Sequence, residues 1–317
     1  MVNPLLYRAL SSSDKRRKIL VERLTEPLHI NVMSMLVALF GGTRSKIDFD
    51  LVVRQQYAYP ILRAADFARE WGYAKLSLIE FGVAAGSGLL NICDIARRVT
   101  GVIGVEFEVY GFDSGSGMPA PIDYRDLPEG YQAGDFPMDR EKLRQSLPAN
   151  CHLILGPIAE TLPSFLASLS AKAPIGFVSV DVDYYSSARD ALTVFLGAPE
   201  KYLPIVPTYF DDLGDETVNP WVGEALAIAE FNEISEFRKI APYNMLRERR
   251  ICKNAKWINH VYALHVHDHV VRTPGTAVRP QRIAANEFLG KAVPALSAAV
   301  PLQAEAHAAA DKCDAAH

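Results

Sequence analysis

The chain has 317 residues, 49% of them hydrophobic and 22% charged, which makes a globular protein the default. Lysine plus arginine number 33 against 37 aspartate plus glutamate, and the formal charge of −4 gives no electrostatic reason for a nucleic acid or an anionic membrane as the main partner. Cys93, Cys151, Cys252 and Cys313 are far apart with no CxxC pair, so neither a zinc site nor a disulfide framework is indicated, and a reducing cytoplasm is the expected compartment.

Residues 1–73 read as an N-terminal helical extension. Ser11-Ser12-Ser13-Asp14, ahead of Lys15 to Lys18 and then Ile19, Leu20, Val21 and Leu24, has the form of a capped amphipathic helix. The apolar run Val32 to Phe40 is far short of the roughly 20 residues that span a bilayer. It also begins too late, and lacks the cleavage pattern, for a secretory signal. It is expected as a buried helix. Another helix is predicted from about Ile61 to Trp71, with Leu62, Ala65 and Trp71 turned inward and Gly72 as its stop.

From residue 74 to 273 short apolar runs alternate with helical stretches. The runs are Leu76 to Phe81, Val109 to Phe112, Leu153 to Leu155, Phe177 to Val180 and Thr208 to Phe210. Helices are predicted at about 87–99, 139–147, 159–171 and 186–197. This spacing implies βαβ units and an α/β fold with a doubly wound, mainly parallel sheet. Pro204 and Pro207 suit a central strand badly, so the fifth strand is expected to start at Pro207 or later. A helix from about Trp221 to Phe231 and an antiparallel pair near Lys239–Tyr243 and His260–His265 complete seven strands. Residues 274–317, rich in alanine and proline, read as a mobile tail.

The first strand ends in Glu80-Phe-Gly82-Val-Ala-Ala-Gly86-Ser87-Gly88 ahead of a helix. Glycines in such a turn let the backbone approach a ligand and aim helix N–H groups at it. The spacing is GxxxGxG, whereas a dinucleotide fingerprint is GxGxxG. Glu80, two positions before the first glycine, suits a ligand that carries an ammonium and a sulfonium, as S-adenosylmethionine does. Twenty-five residues after Gly88 the second strand ends in Asp113-Ser114, where a carboxylate can accept both hydroxyls of a ribose. A tight turn that binds nothing is the plain alternative.

Strand four ends in Asp181-Val-Asp183 and strand five in Asp211-Asp212. In a parallel sheet these ends share the ligand-binding edge, so Asp183, Asp211 and Asp212 are expected to converge. Two like charges about 4 Å apart repel by about 4 kcal/mol at an effective dielectric of 20. Such a cluster needs protons, a basic neighbour or a cation, and all-oxygen ligands favour magnesium, manganese or calcium. The competing reading makes these aspartates helix caps. Asp181, deeper in its strand, is expected to support the site from behind. His265, His267 and His269 alternate along the last strand, more in keeping with a solvated strand end than with a metal site. Asp135 and Asp139 fall in a long loop that reads as a substrate lid.

The segments EFGVAAGSG, VYGFDSGSGMP, GPIAETLP, DYYSSARDAL, FDDLG and GEALAIAEF resemble, in order, the macrocin O-methyltransferase family, magnesium-dependent class I S-adenosylmethionine methyltransferases that act on sugar hydroxyls of macrolides. The resemblance covers about residues 77–231. It implies that Asp113 holds the ribose, that the stretch around Ile158 lies near the adenine, and that Asp183, Asp211 and Asp212 bind the metal. Where the family reads D-x-Y-E-S-T, this chain has Asp183-Tyr-Tyr185-Ser186-Ser187-Ala188, so the glutamate and threonine are absent. The expected activity is O-methylation of a small hydroxylated acceptor, a sugar or polyol of a secondary metabolite, with Asp183 as base. Glu80, Gly82, Gly86, Ser87, Asp113, Ser114 and Ile158 would form the cofactor site. The expected cofactors are S-adenosylmethionine and Mg2+, with no nucleic-acid or membrane partner. A non-catalytic cofactor-binding or scaffold protein of the same fold is the alternative. For the N-terminal helices two roles stay open, covering the pocket or joining subunits of a homo-oligomer.

Overall fold

A computed structural model describes residues 21, 23–214, 217 and 219–275. Most of the helix expected over Ser11–Leu24, and the expected tail from residue 276 onward, lie outside the described residues.

Seven strands form one sheet: β1 (Lys75–Phe81), β2 (Glu106–Asp113), β3 (Cys151–Leu155), β4 (Ile175–Val180), β5 (Ile205–Phe210), β6 (Arg238–Pro242) and β7 (Val261–Val266). Their order across the sheet is β3-β2-β1-β4-β5-β7-β6. β1 to β5 run parallel, while β7 lies antiparallel to both β5 and β6. Every residue of β4 and all but the first of β1 are buried, as expected for central parallel strands covered on both faces. The doubly wound α/β reading and the antiparallel closing pair are therefore borne out.

The longer helices are α1 (Leu28–Phe40), α2 (Thr43–Asp48), α3 (Gln55–Trp71), α4 (Ser87–Ile103), α5 (Arg140–Ser146), α6 (Ile158–Ser168), α7 (Tyr185–Leu192) and α8 (Gly223–Ile234). α2, α3 and α4 pack on one another, and α6 and α8 each pack on α7. Apolar periodicity explains α3 and α4, and each ends at a left-handed glycine, Gly72 or Gly104, that lets the chain turn back toward the sheet. α3 begins six residues before the expected Ile61, with Pro60 inside it, and its Tyr57 is fully buried. A buried ion pair holds residues 47–50 to the end of the domain. Arg250 Nη2 donates to Asp50 Oδ1 at 2.6 Å and to the carbonyls of Ile47 and Asp48, and Trp257 Nε1 donates to Asp50 Oδ2 at 3.1 Å.

Two expectations need correction. β5 starts at Ile205, ahead of Pro207. The amide of Val266 bonds the carbonyl of Pro204, so by alternation Pro207, opposite Ala263, sits at a position without a ladder bond to β7. On its other side the β4 ladder begins only at Thr208, the residue after the proline. The Val32–Phe40 run is helical but not buried: in α1 only Ser34 is buried, and Phe40 is 83% exposed. An apolar run shows a need for cover without showing that the same chain supplies it.

The strand order reverses between β1 and β4. In open α/β sheets the crevice beyond the carboxyl ends of the strands at such a switch point is where ligands bind.

Candidate active site

The turn after β1 is closed around its glycines. Gly82 has φ +84°, and a Cβ there would lie 1.7 Å from the Asp181 carbonyl oxygen, so only glycine lets the exits of β1 and β4 pass this closely. At the start of α4, a Cβ on Gly88 would lie 1.9 Å from Glu80 Oε1. Glu80 is 1% exposed and lies beneath the amino end of that helix. Its Oε1 accepts from the Tyr57 hydroxyl at 3.3 Å, whereas Oε2 has no hydrogen-bond partner among the described residues. Burial pushes the Glu80 carboxyl well above its ordinary range, the Asp181 charge adds to this, and the Arg54 charge opposes it. A buried carboxylate oxygen without a partner is costly unless a ligand donates to it.

Arg54 stands over this turn. Its backbone is left-handed, φ 52°, its Nη2 donates to Ser87 Oγ at 3.3 Å, and its guanidinium lies 5.3 Å from the centre of the Tyr57 ring. Arg54 and Ser87 both line a cavity of about 670 Å3 that runs along α4 past Leu90 and Asn91.

Asp113 at the end of β2 is drawn into the same turn. Its Oδ2 accepts from the amides of Val83 and Ala84, both at 2.9 Å, and its Oδ1 from Gly115 N at 2.6 Å. A carboxylate has about four lone-pair sites, so one on Oδ1 is left for a ligand hydroxyl. Ser114 Oγ donates to the Gly117 carbonyl and accepts from Ser116 N, which shapes the loop that follows. Ile158 opens α6, half-buried against the core.

Beyond β4 and β5 the carboxylates gather. Asp183 has φ 59°, a strained value for a residue with a side chain. Its amide donates to Asp212 Oδ2 at 3.1 Å, and the Asp212 amide donates to Glu224 Oε2 at 3.1 Å. Asp211 Oδ1 accepts from the Tyr209 hydroxyl at 2.5 Å. Burial first, then the charges of Asp211 and Asp183, raise Asp181 to about 7. Burial first, then Asp183, Asp211 and Asp181, raise Asp212 to about 8. Asp183 is raised by burial and by Asp211, against a hydrogen bond from the Tyr131 side chain. Glu224, fully buried, is held well above its usual range by burial and then by Asp212.

Neither Asp183 nor Asp212 supplies a side-chain cap to a following helix: the cap position of α7 is Tyr184, which makes no such bond. Among the described residues no three His, Cys, Asp or Glu side chains are arranged as a ready metal cage. The donor set is nonetheless all oxygen, and its members raise one another's affinity for positive charge, which is the chemistry a hard divalent cation meets.

The loop between β2 and α5 covers this region. Asp126, 1% exposed, accepts from the amide and hydroxyl of Ser186 at 2.8 and 3.0 Å, so a loop carboxylate meets the position where the resembled family carries glutamate. The Tyr184 hydroxyl donates to the Tyr131 carbonyl, and Tyr131 packs edge-on against Phe136 and Tyr184. Asp135 accepts from Gln132 N, and Asp139 caps α5. The histidines divide: β7 stops at Val266, the His265 and His267 rings stack at 6.0 Å, and His269 accepts from Val271 N.

No protein-family model and no curated protein matches the chain. Several solved structures are similar in fold. The calicheamicin methyltransferase CalS11 is 18% identical over 81% of this chain and 95% of its own, with a TM-score of 0.46. The O-methyltransferase NovP is 19% identical over 56% and 72%, with a TM-score of 0.42. The MycE methyltransferase of mycinamycin biosynthesis, solved with Mg, SAH and mycinamycin VI, is 12% identical over 64% and 48%, with a TM-score of 0.36.

Proposed function

We propose that the protein is an S-adenosylmethionine-dependent O-methyltransferase acting on a hydroxyl of a small acceptor, a sugar or polyol of a secondary metabolite. The observation that carries this reading is the unpartnered Glu80 Oε2 at the amino end of α4, with Arg54 and Ser87 beside it. An α-amino acid head presents an ammonium and a carboxylate. The ammonium would donate to Glu80, and the carboxylate would meet the Arg54 guanidinium and the amides that open α4. A dinucleotide pyrophosphate carries no donor to offer the unpartnered Glu80 Oε2. Asp113 Oδ1 would accept from the ribose, and Ile158 would lie toward the adenine.

For the transfer, the acceptor hydroxyl must lose its proton as its oxygen attacks the methyl carbon on the sulfonium. Asp183 would take that proton, the new bond would form to oxygen, and the bond to sulfur would break to leave neutral S-adenosylhomocysteine. Burial and the Asp211 charge hold the Asp183 carboxyl above its ordinary range, which favours its taking a proton. Asp183, Asp211 and Asp212 would hold Mg2+, which when bound would stabilise negative charge developing on the acceptor oxygen. Exposed Ile122 and Tyr124 after β2 and Trp221 after β5 would give a ring-bearing acceptor an apolar rest at this edge. No described helix is long and apolar enough to cross a membrane, and the compartment is proposed as the cytoplasm.

The test is conversion of S-adenosylmethionine to S-adenosylhomocysteine with gain of one methyl in a panel of hydroxylated acceptors, read by mass. Cofactor binding without transfer to any of them would favour the non-catalytic alternative.

A further inference from the structure

α1 is mostly apolar and the described chain covers only one side of it, where Ser34 is buried and Ile30, Asn31, Val37 and Ala38 are half-buried. From Leu28 to Phe40 it holds no Asp, Glu, Lys or Arg, and only Ser34 is buried. A contiguous apolar stripe left open along the other side of a helix is a surface that calls for cover. Leu28, Val32, Met35 and Leu39 are between 51% and 79% exposed, and they recur at steps of four, three and four residues. That is the spacing of a seam that packs against a second helix. Leu36 and Phe40 widen the stripe, at 48% and 83% exposed.

We infer that α1 is the contact between two copies of this chain, packed seam to seam about a two-fold axis. A two-fold contact requires a patch that complements itself, and an apolar seam without charges meets its own copy with no like-charge repulsion. The area fits. Half or more of a large apolar side chain is on the order of 100 Å2, so these six side chains alone expose as much as the largest patch on an ordinary monomer, roughly 300–600 Å2. With the residues between them they approach the roughly 800 Å2 per partner of a standard interface.

A lipid surface fits less well. Thirteen residues of helix reach only about 20 Å, short of the roughly 30 Å hydrocarbon core. Helices that lie on membranes carry Lys or Arg along a polar face, and α1 has neither.

The experiment is light scattering on the eluting full-length protein at about 10 µM, where an interface of this size with a Kd below about 1 µM is mostly dimeric. The wild type should show twice the chain mass. Met35→Glu/Leu39→Glu and Met35→Lys/Leu39→Lys should each show the single-chain mass, with the thermal transition of a folded protein. Mixing the two variants should restore the double mass, because opposite charges then face each other across the seam. A monomeric wild type would overturn the inference, whether α1 is then covered by lipid vesicles or by another part of the chain. A Glu variant that stays dimeric would overturn it too, and so would a mixture of variants that remains monomeric.

Discussion

The backbone amide of Asp183 donates to the side chain of Asp212, Oδ2 at 3.1 Å, and thereby ties the exit of β4 to the exit of β5. The bond holds Asp183 in its left-handed conformation and places two carboxylates side by side at the edge of the sheet. It also separates what the Asp212 oxygen does as an acceptor from what its charge does. In Asp212→Asn the acceptor stays and the charge goes. This variant should melt higher than the wild type in chelator at about pH 9, where the Asp212 carboxylate, raised to about 8, is mostly ionised. Asp212→Ala loses the acceptor and should be less stable than Asp212→Asn by about 1–3 kcal/mol, or several degrees in melting temperature for a chain of this size. Equal melting temperatures for the two variants would mean that the bond does not hold the turn.

Magnesium should reverse the order. With Asp183, Asp211 and Asp212 as ligands, millimolar Mg2+ should raise the melting temperature of the wild type by about 2–4 °C per kcal/mol of binding, and should leave Asp211→Asn and Asp212→Asn nearly unmoved. A wild type indifferent to Mg2+ and Mn2+, together with methyl transfer that survives chelation, would remove the metal from the account.

The pH dependence of the chelated protein carries a definite sign. Asp181 and Asp212 have folded-state values of about 7 and 8, above the ordinary carboxylate value near 4. Between about pH 4 and 8 the folded state therefore keeps protons that the unfolded chain has released, and stability should fall as pH rises through this window and level off above it. His265 and His269, held below the usual value by burial, act in the opposite sense below about pH 6.5. The decline should thus be clearest from about pH 7 to 8.5, in urea midpoints, and shallower in Asp212→Asn. A midpoint that rises over that range would contradict the clustering.

Asp113 makes a compound prediction, since it serves the turn as well as the proposed ribose. Asp113→Ala leaves the amides of Val83, Ala84 and Gly115 without their acceptor. It should cost stability by about 1–3 kcal/mol as well as lowering cofactor affinity roughly 10- to 150-fold. Full S-adenosylhomocysteine affinity in a stable Asp113→Ala protein would take it out of both roles.

The sheet was readable because β1 and β4 are continuous apolar runs at βαβ spacing, and because Glu80, Asp183, Asp211 and Asp212 fall where those runs end. Topology alone then brings strand ends to one edge. Arg54, Tyr57, Tyr209, Asp126 and Glu224 were not readable in the same way. Arg54 and Tyr57 come from the segment before β1 that matches no motif, and Asp126 comes from a loop whose path depends on the packing of Ser186 and Tyr184. Their one advance signal is general: buried carboxylates need partners, and some partner had to exist for Glu80. The exposure of α1 could not be read at all, since periodicity reports an apolar face and not what covers it.

The most direct test of the cofactor reading is a calorimetric titration that compares S-adenosylhomocysteine with methylthioadenosine, which lacks the amino acid head, on wild type and Arg54→Ala. The account predicts that the wild type binds both and prefers S-adenosylhomocysteine. It also predicts that Arg54→Ala loses S-adenosylhomocysteine affinity roughly 10- to 150-fold, for a charge-assisted contact of about 1.5–3 kcal/mol, with methylthioadenosine unchanged. A wild type that binds neither nucleoside, or that binds NAD tightly instead, would contradict it.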